Sequence, residues 1–442
     1  MSTATEKRSR RGVWRAAAGL MVLVGSILAG AGEARAHASL IASVPAYGST
    51  LTEAPKTVQL QFDNPIEPGL VKVRLKVAST EVELGKGVLV GDRTPRAAVE
   101  FTLPEHEPGE YYISWITYAF DGHVVSGTIP YTFDPNGVAQ ESAGESETTG
   151  TAVADPGSSN RIIDIVEIQL RFLNYLGLAA FFGGVVWMLV LRREGEGAGV
   201  LLDTARKAVA GGALAAAFFA IARGGTAVWR MLDGGFAIGE AVPQLLDGQI
   251  GGYILAGVLF AVAGSLGHRA TGQTTLWVAA TASSCAAMLT AGLGHAAGKT
   301  APGIGAVLMG AHLTAAALWV GSVGLLAYVA TESRFKSVET RWSELRSGLD
   351  QLGKILITAF VVLAVSGMRA AYVYADGVPG GTWGMTLGAK LVLVAGAGGI
   401  GLVHYLRGKR GAGLSGKTLA IEATLLVLTL TAAAVLSVSV PA

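Results

Sequence analysis

The chain is short of the residues that staple or solvate a soluble fold. It has one cysteine, Cys285, in 442 residues, which excludes a disulfide framework and any cysteine-rich metal site. Charged residues make up only 15% of it, and 51% is hydrophobic; soluble domains carry charge on about a quarter of their residues. A formal net charge of +2 leaves no electrostatic footprint for nucleic acid. The sequence has no Cys-x-x-Cys, and the run from Gly411 to Thr418 that spells a Walker-type loop follows an apolar segment and not a strand, so nothing supports an ATP-driven pump. Residues 37–135 contain no methionine, which removes thioether ligands for a soft metal from that stretch. These absences point to a membrane protein.

The first 36 residues read as a signal peptide. Lys7, Arg8, Arg10, Arg11 and Arg15 form a basic start, an apolar run follows from Ala16 to Gly30, and Ala34-Arg35-Ala36 has the small-residue spacing of a cleavage site. Cleavage there makes His37 the first residue of the mature chain.

Residues 37–134 follow a period of two. Val58, Leu60 and Phe62 alternate with Gln59 and Gln61, and the pattern returns at Val71–Val77, Tyr111–Trp115 and Ile129–Phe133. Such runs between Pro and Gly turns predict an antiparallel sandwich or barrel. Residues 135–160 are rich in Gly, Ser, Thr and Glu and lack aromatics, the composition of a flexible tether.

Residues 161–442 form the second domain, a series of apolar segments. Helices are expected near 163–191, 206–229, 248–267, 274–295, 303–329, 353–374, 386–406 and 419–439, each close to the ~20 residues that cross a bilayer. An all-α membrane domain of eight transmembrane helices follows. If the β-domain is outside, the loops after the odd-numbered helices are cytoplasmic. Those loops hold Arg192, Arg193, Arg269, Arg334, Lys336, Arg341, Arg346, Lys354, Arg407, Lys409, Arg410 and Lys417, while the outer loops add little beyond Arg230 and Lys299. The asymmetry obeys the positive-inside rule. The expectation is a bacterial inner membrane, with the β-domain and the C-terminus on the extracytoplasmic side.

Within the β-domain, an N-terminal His37 offers an amine and an imidazole, and Asp121-Gly122-His123 offers a carboxylate and a second imidazole. An N3O set of this kind suits tetragonal Cu(II). Taken alone, Asp-x-His is more often a turn with a solvated histidine. His106, between Glu105 and Glu107-Pro108, is expected to be a surface-loop residue.

His37-Ala38-Ser39-Leu40, Ser43-Val44-Pro45-Ala46-Tyr47-Gly48 and the Asp121-Gly122-His123 segment together resemble the CopC family of periplasmic copper carriers. The resemblance implies a Greek-key sandwich with His37, Asp121 and His123 as Cu(II) ligands, in a domain that binds only Cu(II). A histidine brace at an N-terminus also suggests oxygenase chemistry, but Asp121 would fill the position that oxygen needs. The expectation is binding, not enzymatic turnover.

Residues 160–442 resemble the CopD family of copper-resistance and copper-import proteins. Gly294-His295-Ala296, His312 with Leu318-Trp319-Val320-Gly321, Ser366-Gly367, and Gly384 before Lys390 carry that resemblance; Ser322 stands where a second glycine is expected. An ionisable group inside a span is a functional candidate by default. His295 and His312, with Met288 and Met309 at helical spacing and Cys285 one turn from Met288, are candidates for a membrane copper path suited to Cu(I). The sulfurs have an equally ordinary reading as lipid-facing or core residues.

Arg171, Arg223, Arg369 and Lys390 read as snorkelling side chains. His404 and Glu422 are expected to meet near the inner face, as a structural polar contact or an exit. Gly396-x-Gly398-x-x-Gly401 lies inside a span, so close helix packing is its reading. Copper import is the leading expectation. Resistance by sequestration or export, and haem b ligation by His295 and His312, remain as alternatives. The expected partners are copper ions, lipid, and a periplasmic carrier or reductase.

Overall fold

The computed structural model describes residues 40–66, 68–80, 82–91, 96–118, 124–138, 158–191, 199–233, 238–239, 249–292, 304–331, 346–375, 381–410 and 414–438. The chain divides into two compact units. One comprises Ala36–Ile163 with Thr226–Gln249; the other comprises Met1–Arg35, Asp164–Gly225 and Ile250–Ala442.

Among the described residues the first unit contains nine strands: β1 (Leu40–Val44), β2 (Ser49–Leu51), β3 (Thr57–Ile66), β4 (Lys72–Val77), β5 (Glu83–Lys86), β6 (Val88–Val90), β7 (Arg96–Thr102), β8 (Gly109–Tyr118) and β9 (Val124–Phe133). They form two sheets, ordered β1-β3-β7-β6 and β2-β9-β8-β4-β5. Neighbours distant in sequence, such as β3 beside β7 and β4 beside β8, result from chain crossings between sheets, the wiring of a Greek-key sandwich.

The alternation seen in the sequence sets the core. Val58, Leu60 and Phe62 face Val73, Leu75, Ile113, Trp115 and Ile129 between the sheets, all nearly inaccessible to solvent. Each side chain of this size stabilises the fold by about 1.5–3 kcal/mol when fully buried. One pairing departs from the antiparallel expectation: β2 runs parallel to β9, with Ser49 opposite Tyr131.

The second domain is helical: α1 (Ser158–Leu191), α2 (Gly199–Asp233), α3 (Gln249–Arg269), α4 (Gln273–Gly292), α5 (Ile304–Thr331), α6 (Arg346–Ala375), α7 (Gly381–Lys409) and α8 (Gly416–Leu436). Among the described residues all eight are long and apolar enough to cross a membrane. Helix α1 starts at Ser158, slightly inside the predicted tether.

Helix α5 packs against α4, α6 and α8. It also meets α1 at a glycine crossing: a Cβ on Gly321 would come within 1.7 Å of the Ala179 carbonyl oxygen, and one on Gly183 within 2.3 Å of the Gly321 backbone. Backbone contact of this kind is how apolar helices associate where no hydrophobic force drives them. Beside it the Trp187 indole donates to the Ser322 carbonyl at 3.1 Å. Ser322, the departure from the expected glycine, is fully buried.

The snorkelling expectation fails for two arginines. Arg171 and Arg223 are buried, and both donate through Nε to one oxygen of Glu167, at 2.7 and 3.0 Å. Arg223 also donates to the Tyr253 hydroxyl at 2.9 Å, and Arg171 to the Ser437 carbonyl at 3.0 Å. The cluster ties α1, α2, α3 and the end of α8 together. Charges taken from water need this many partners, because an unpaired one in hydrocarbon is far more costly. Arg369 is exposed, as expected.

Candidate metal centre

Asp121 and His123 lie between β8 and β9, and His37 precedes β1; all three fall outside the described residues. The structure supplies their frame. The β8–β9 ladder is regular up to its last rung, Tyr118 opposite Val124. Below it, Trp115 faces Gly127, where a Cβ would stand 2.7 Å from the indole. The indole meets Phe62 edge-on, ring centroids 5.3 Å apart, and Phe62 is the cross-strand partner of Leu40. A chain of contacts thus runs from Leu40, three residues after His37, through Phe62 to Trp115, three residues before the end of β8. Leu40 and Tyr118, the described residues that flank the two candidate ligand segments, therefore lie at the same end of the sandwich.

His106 does lie in the loop between β7 and β8, half-buried, but its ring is engaged on both nitrogens. Its Nδ1 lies 2.9 Å from the Pro104 carbonyl and its Nε2 2.7 Å from the Tyr131 hydroxyl. A carbonyl only accepts, so Nδ1 carries the proton, and Nε2 accepts from Tyr131. The ring also meets Tyr111, Tyr131 and Phe133 edge-on. Burial, and then Tyr111, push the Tyr131 hydroxyl well above the usual tyrosine range, which keeps it a donor. With both nitrogens engaged, His106 is a structural histidine and has no lone pair left for a metal.

In the helical domain His312 lies on α5, eight residues after its start. Its Nδ1 is 2.9 Å from the Ser366 hydroxyl on α6. Gly367 admits the ring, since a Cβ there would come within 3.3 Å of His312 Cε1. Ser366 lies nine residues before the end of the antiparallel α6 and Lys390 nine after the start of α7, so all three sit at one depth, about 12–14 Å along the helix axis at 1.5 Å per residue. Lys390 is close enough to act electrostatically on His312.

The structure separates the other membrane candidates. Met288 packs with its Cγ against Gly310, where a Cβ would be 2.2 Å away. Gly310 and His312 are two positions apart, about 200° around α5, so Met288 touches a different side of the helix from the Ser366-facing imidazole. Met309, three residues before His312, shares its side of α5 and is half-buried. Cys285 is exposed on α4, and His295 lies outside the described residues. Among those residues, no three His, Cys, Asp or Glu side chains cluster as a metal site.

A second polar site joins α7 to α8. His404 Nδ1 is 2.9 Å from Glu422 Oε2, and its Nε2 is 2.7 Å from the Thr418 hydroxyl, which itself donates to the Ser415 carbonyl at 3.0 Å. Thr418 has spent its proton, so Nε2 carries one, and a single further proton is shared along the His404–Glu422 contact. The pair is neutral overall, which suits its burial. Gly401 leaves room for the Glu422 carboxylate, with a Cβ placed only 3.0 Å from Oε1, while Gly398 packs on Phe360 and Gly396 on Leu425. The Gly396-x-Gly398-x-x-Gly401 run is therefore a helix-packing surface.

The family model for the CopC domain matches residues 40–134. Residues 40–134 form a CopC domain. The eight membrane-length helices that follow it fit the CopD-like domain that the sequence resembles. Over 425 residues the chain is 25% identical to the copper transport protein CutJ of Bacillus subtilis strain 168, spanning 90% of this chain and 73% of that protein. Among solved structures, CopC from Methylosinus trichosporium OB3b matches 24% of this chain and all of its own at 23% identity, with a TM-score of 0.21.

Sequence reasoning located His312 but not Ser366 as its partner, and it missed Glu167 entirely. The signal for Glu167 was available. It lies four residues before Arg171, the spacing at which opposite charges pair on a helix.

Proposed function

We propose that this chain captures Cu(II) through its CopC domain and conducts copper across the bacterial inner membrane through its helices, most directly as an importer. It acts as a carrier and conduit, not an enzyme. The observation that carries this reading is His312: a histidine inside a bundle of membrane-length helices, on the same chain as a CopC domain. The name of the Bacillus relative supports copper transport as the common theme.

Several observations support the details. The contact chain from Leu40 through Phe62 to Trp115 favours a shared site for His37, Asp121 and His123. The signal-like N-terminus and the lysine and arginine asymmetry of the loops favour an extracytoplasmic CopC domain. Imidazole with a neighbouring thioether, His312 and Met309, suits Cu(I), so Cu(II) is reduced by an external one-electron donor before entering the helices. A periplasmic carrier or reductase is the partner this requires.

Two variants test the two-site arrangement. A single residue added before His37 should weaken Cu(II) binding by the CopC domain sharply and change its electron paramagnetic resonance spectrum. His312→Ala should leave that spectrum intact while removing copper passage. Loss of both properties in His312→Ala would contradict two separate sites, and unchanged Cu(II) affinity in the extended chain would remove the amine from the ligand set.

A further inference from the structure

We propose that Ser366 is a positioning residue that fixes the His312 tautomer, so that the lone pair at Nε2 is the one offered to a passing metal ion. The proposal rests on the reading of His312 as a copper ligand and adds which nitrogen binds and what selects it.

A serine hydroxyl has one proton to donate. Ser366 Oγ lies 2.5 Å from the Val362 carbonyl and 3.4 Å from that of Leu363, one turn back on its own helix. Carbonyl oxygens only accept, and two oxygens at 2.5 Å need a proton between them. The hydroxyl proton is therefore spent on its own backbone. What Ser366 presents to α5 is a lone pair, and His312 Nδ1 sits 2.9 Å from it. A lone pair facing a lone pair is repulsive, so Nδ1 carries the ring proton.

A neutral imidazole protonated at Nδ1 has its lone pair at Nε2; the Leu363 carbonyl, which also lies within reach of the ring, is a second group on α6 that can only accept. Metal-ligating histidines are commonly oriented in this way, the second nitrogen held by a hydrogen-bond acceptor. Here the acceptor is a serine whose own proton is locked to a helix backbone, so the selection does not depend on a movable charge. Gly367 completes the arrangement by leaving space for the ring beside Ser366.

The test uses the full chain in lipid bilayers, labelled with 15N-histidine, with the His312 signals assigned by their loss in His312→Ala. The expected spectrum of the wild type has a protonated Nδ1 and a bare Nε2. A bare Nδ1 would overturn the proposal without any variant having to fold. Ag(I), a redox-inert stand-in for Cu(I), should then shift the Nε2 signal. In Ser366→Ala the tautomer should become mixed, and reaching the same shift should take roughly 10- to 100-fold more Ag(I), with Ser366→Thr restoring wild-type behaviour. An unchanged Ag(I) requirement in Ser366→Ala would refute the positioning role. If Ag(I) leaves the wild-type His312 signals unmoved while the tautomer is as expected, the failure lies in the ligand reading and not in the role of Ser366.

Discussion

Tyr131 donates its hydroxyl proton to Nε2 of His106 across 2.7 Å, bridging the end of β9 to the stretch that leads into β8. The contact gives His106, the one histidine among the described residues of the CopC domain, a structural role in an aromatic cluster.

His106→Ala should destabilise the CopC domain by about 1–3 kcal/mol, because it leaves the buried Tyr131 hydroxyl without its acceptor. Cu(II) binding should be unchanged. Thermal unfolding and a copper titration of the same variant check both halves, and a lost Cu(II) site would make His106 part of it.

Glu422→Ala should be far more damaging than Glu422→Gln. The alanine variant strands a buried His404 whose Nδ1 has lost its partner, a change that costs about 3–5 kcal/mol when one member of a buried pair is removed. Glutamine keeps a hydrogen-bonding group beside Nδ1. The unfolding midpoints of the two variants in detergent provide the comparison; equal midpoints would mean that the contact contributes nothing to holding α7 on α8.

Lys390→Gln should make the helical domain hold Ag(I) or Cu(I) more tightly and release it more slowly. A cation acting on His312 opposes the binding of another cation, and conduction requires a site weak enough to leave. Metal retained after washing measures the effect. Reduced retention would indicate that Lys390 supports the site.

Much of this organisation was legible in the residues. Span lengths are set by bilayer thickness, so the eight helices fall within about seven residues of their expected bounds, and the alternation at Val58–Phe62 and Tyr111–Trp115 identified the core of the sandwich. The pairing of His404 with Glu422 followed from placing both at the same depth. What was not legible depended on partners remote in sequence. His106 sits among Pro and Glu residues that signal a turn, and its acceptor role toward Tyr131 spans 25 positions. Arg223 reaches Glu167 across 56. Helical spacing pairs Met288 with His295 and Met309 with His312, and only the packing of Met288 against Gly310 reveals that it meets another side of α5 from the His312 imidazole. The short strands β2, β5 and β6 bury too few residues for a period to be visible, and the parallel β2–β9 pairing is fixed by the sandwich and not by any local turn.

The most direct test of the central claim is copper partitioning in cells at a fixed external copper concentration. Elemental analysis of cytoplasmic and periplasmic fractions would compare cells with the wild-type chain, with His312→Ala, and without the chain. The account predicts that the wild-type chain raises cytoplasmic copper and that His312→Ala abolishes the rise while the CopC domain still binds Cu(II). A fall in cytoplasmic copper, or a gain confined to the periplasm, would contradict import and identify the chain with resistance by export or sequestration.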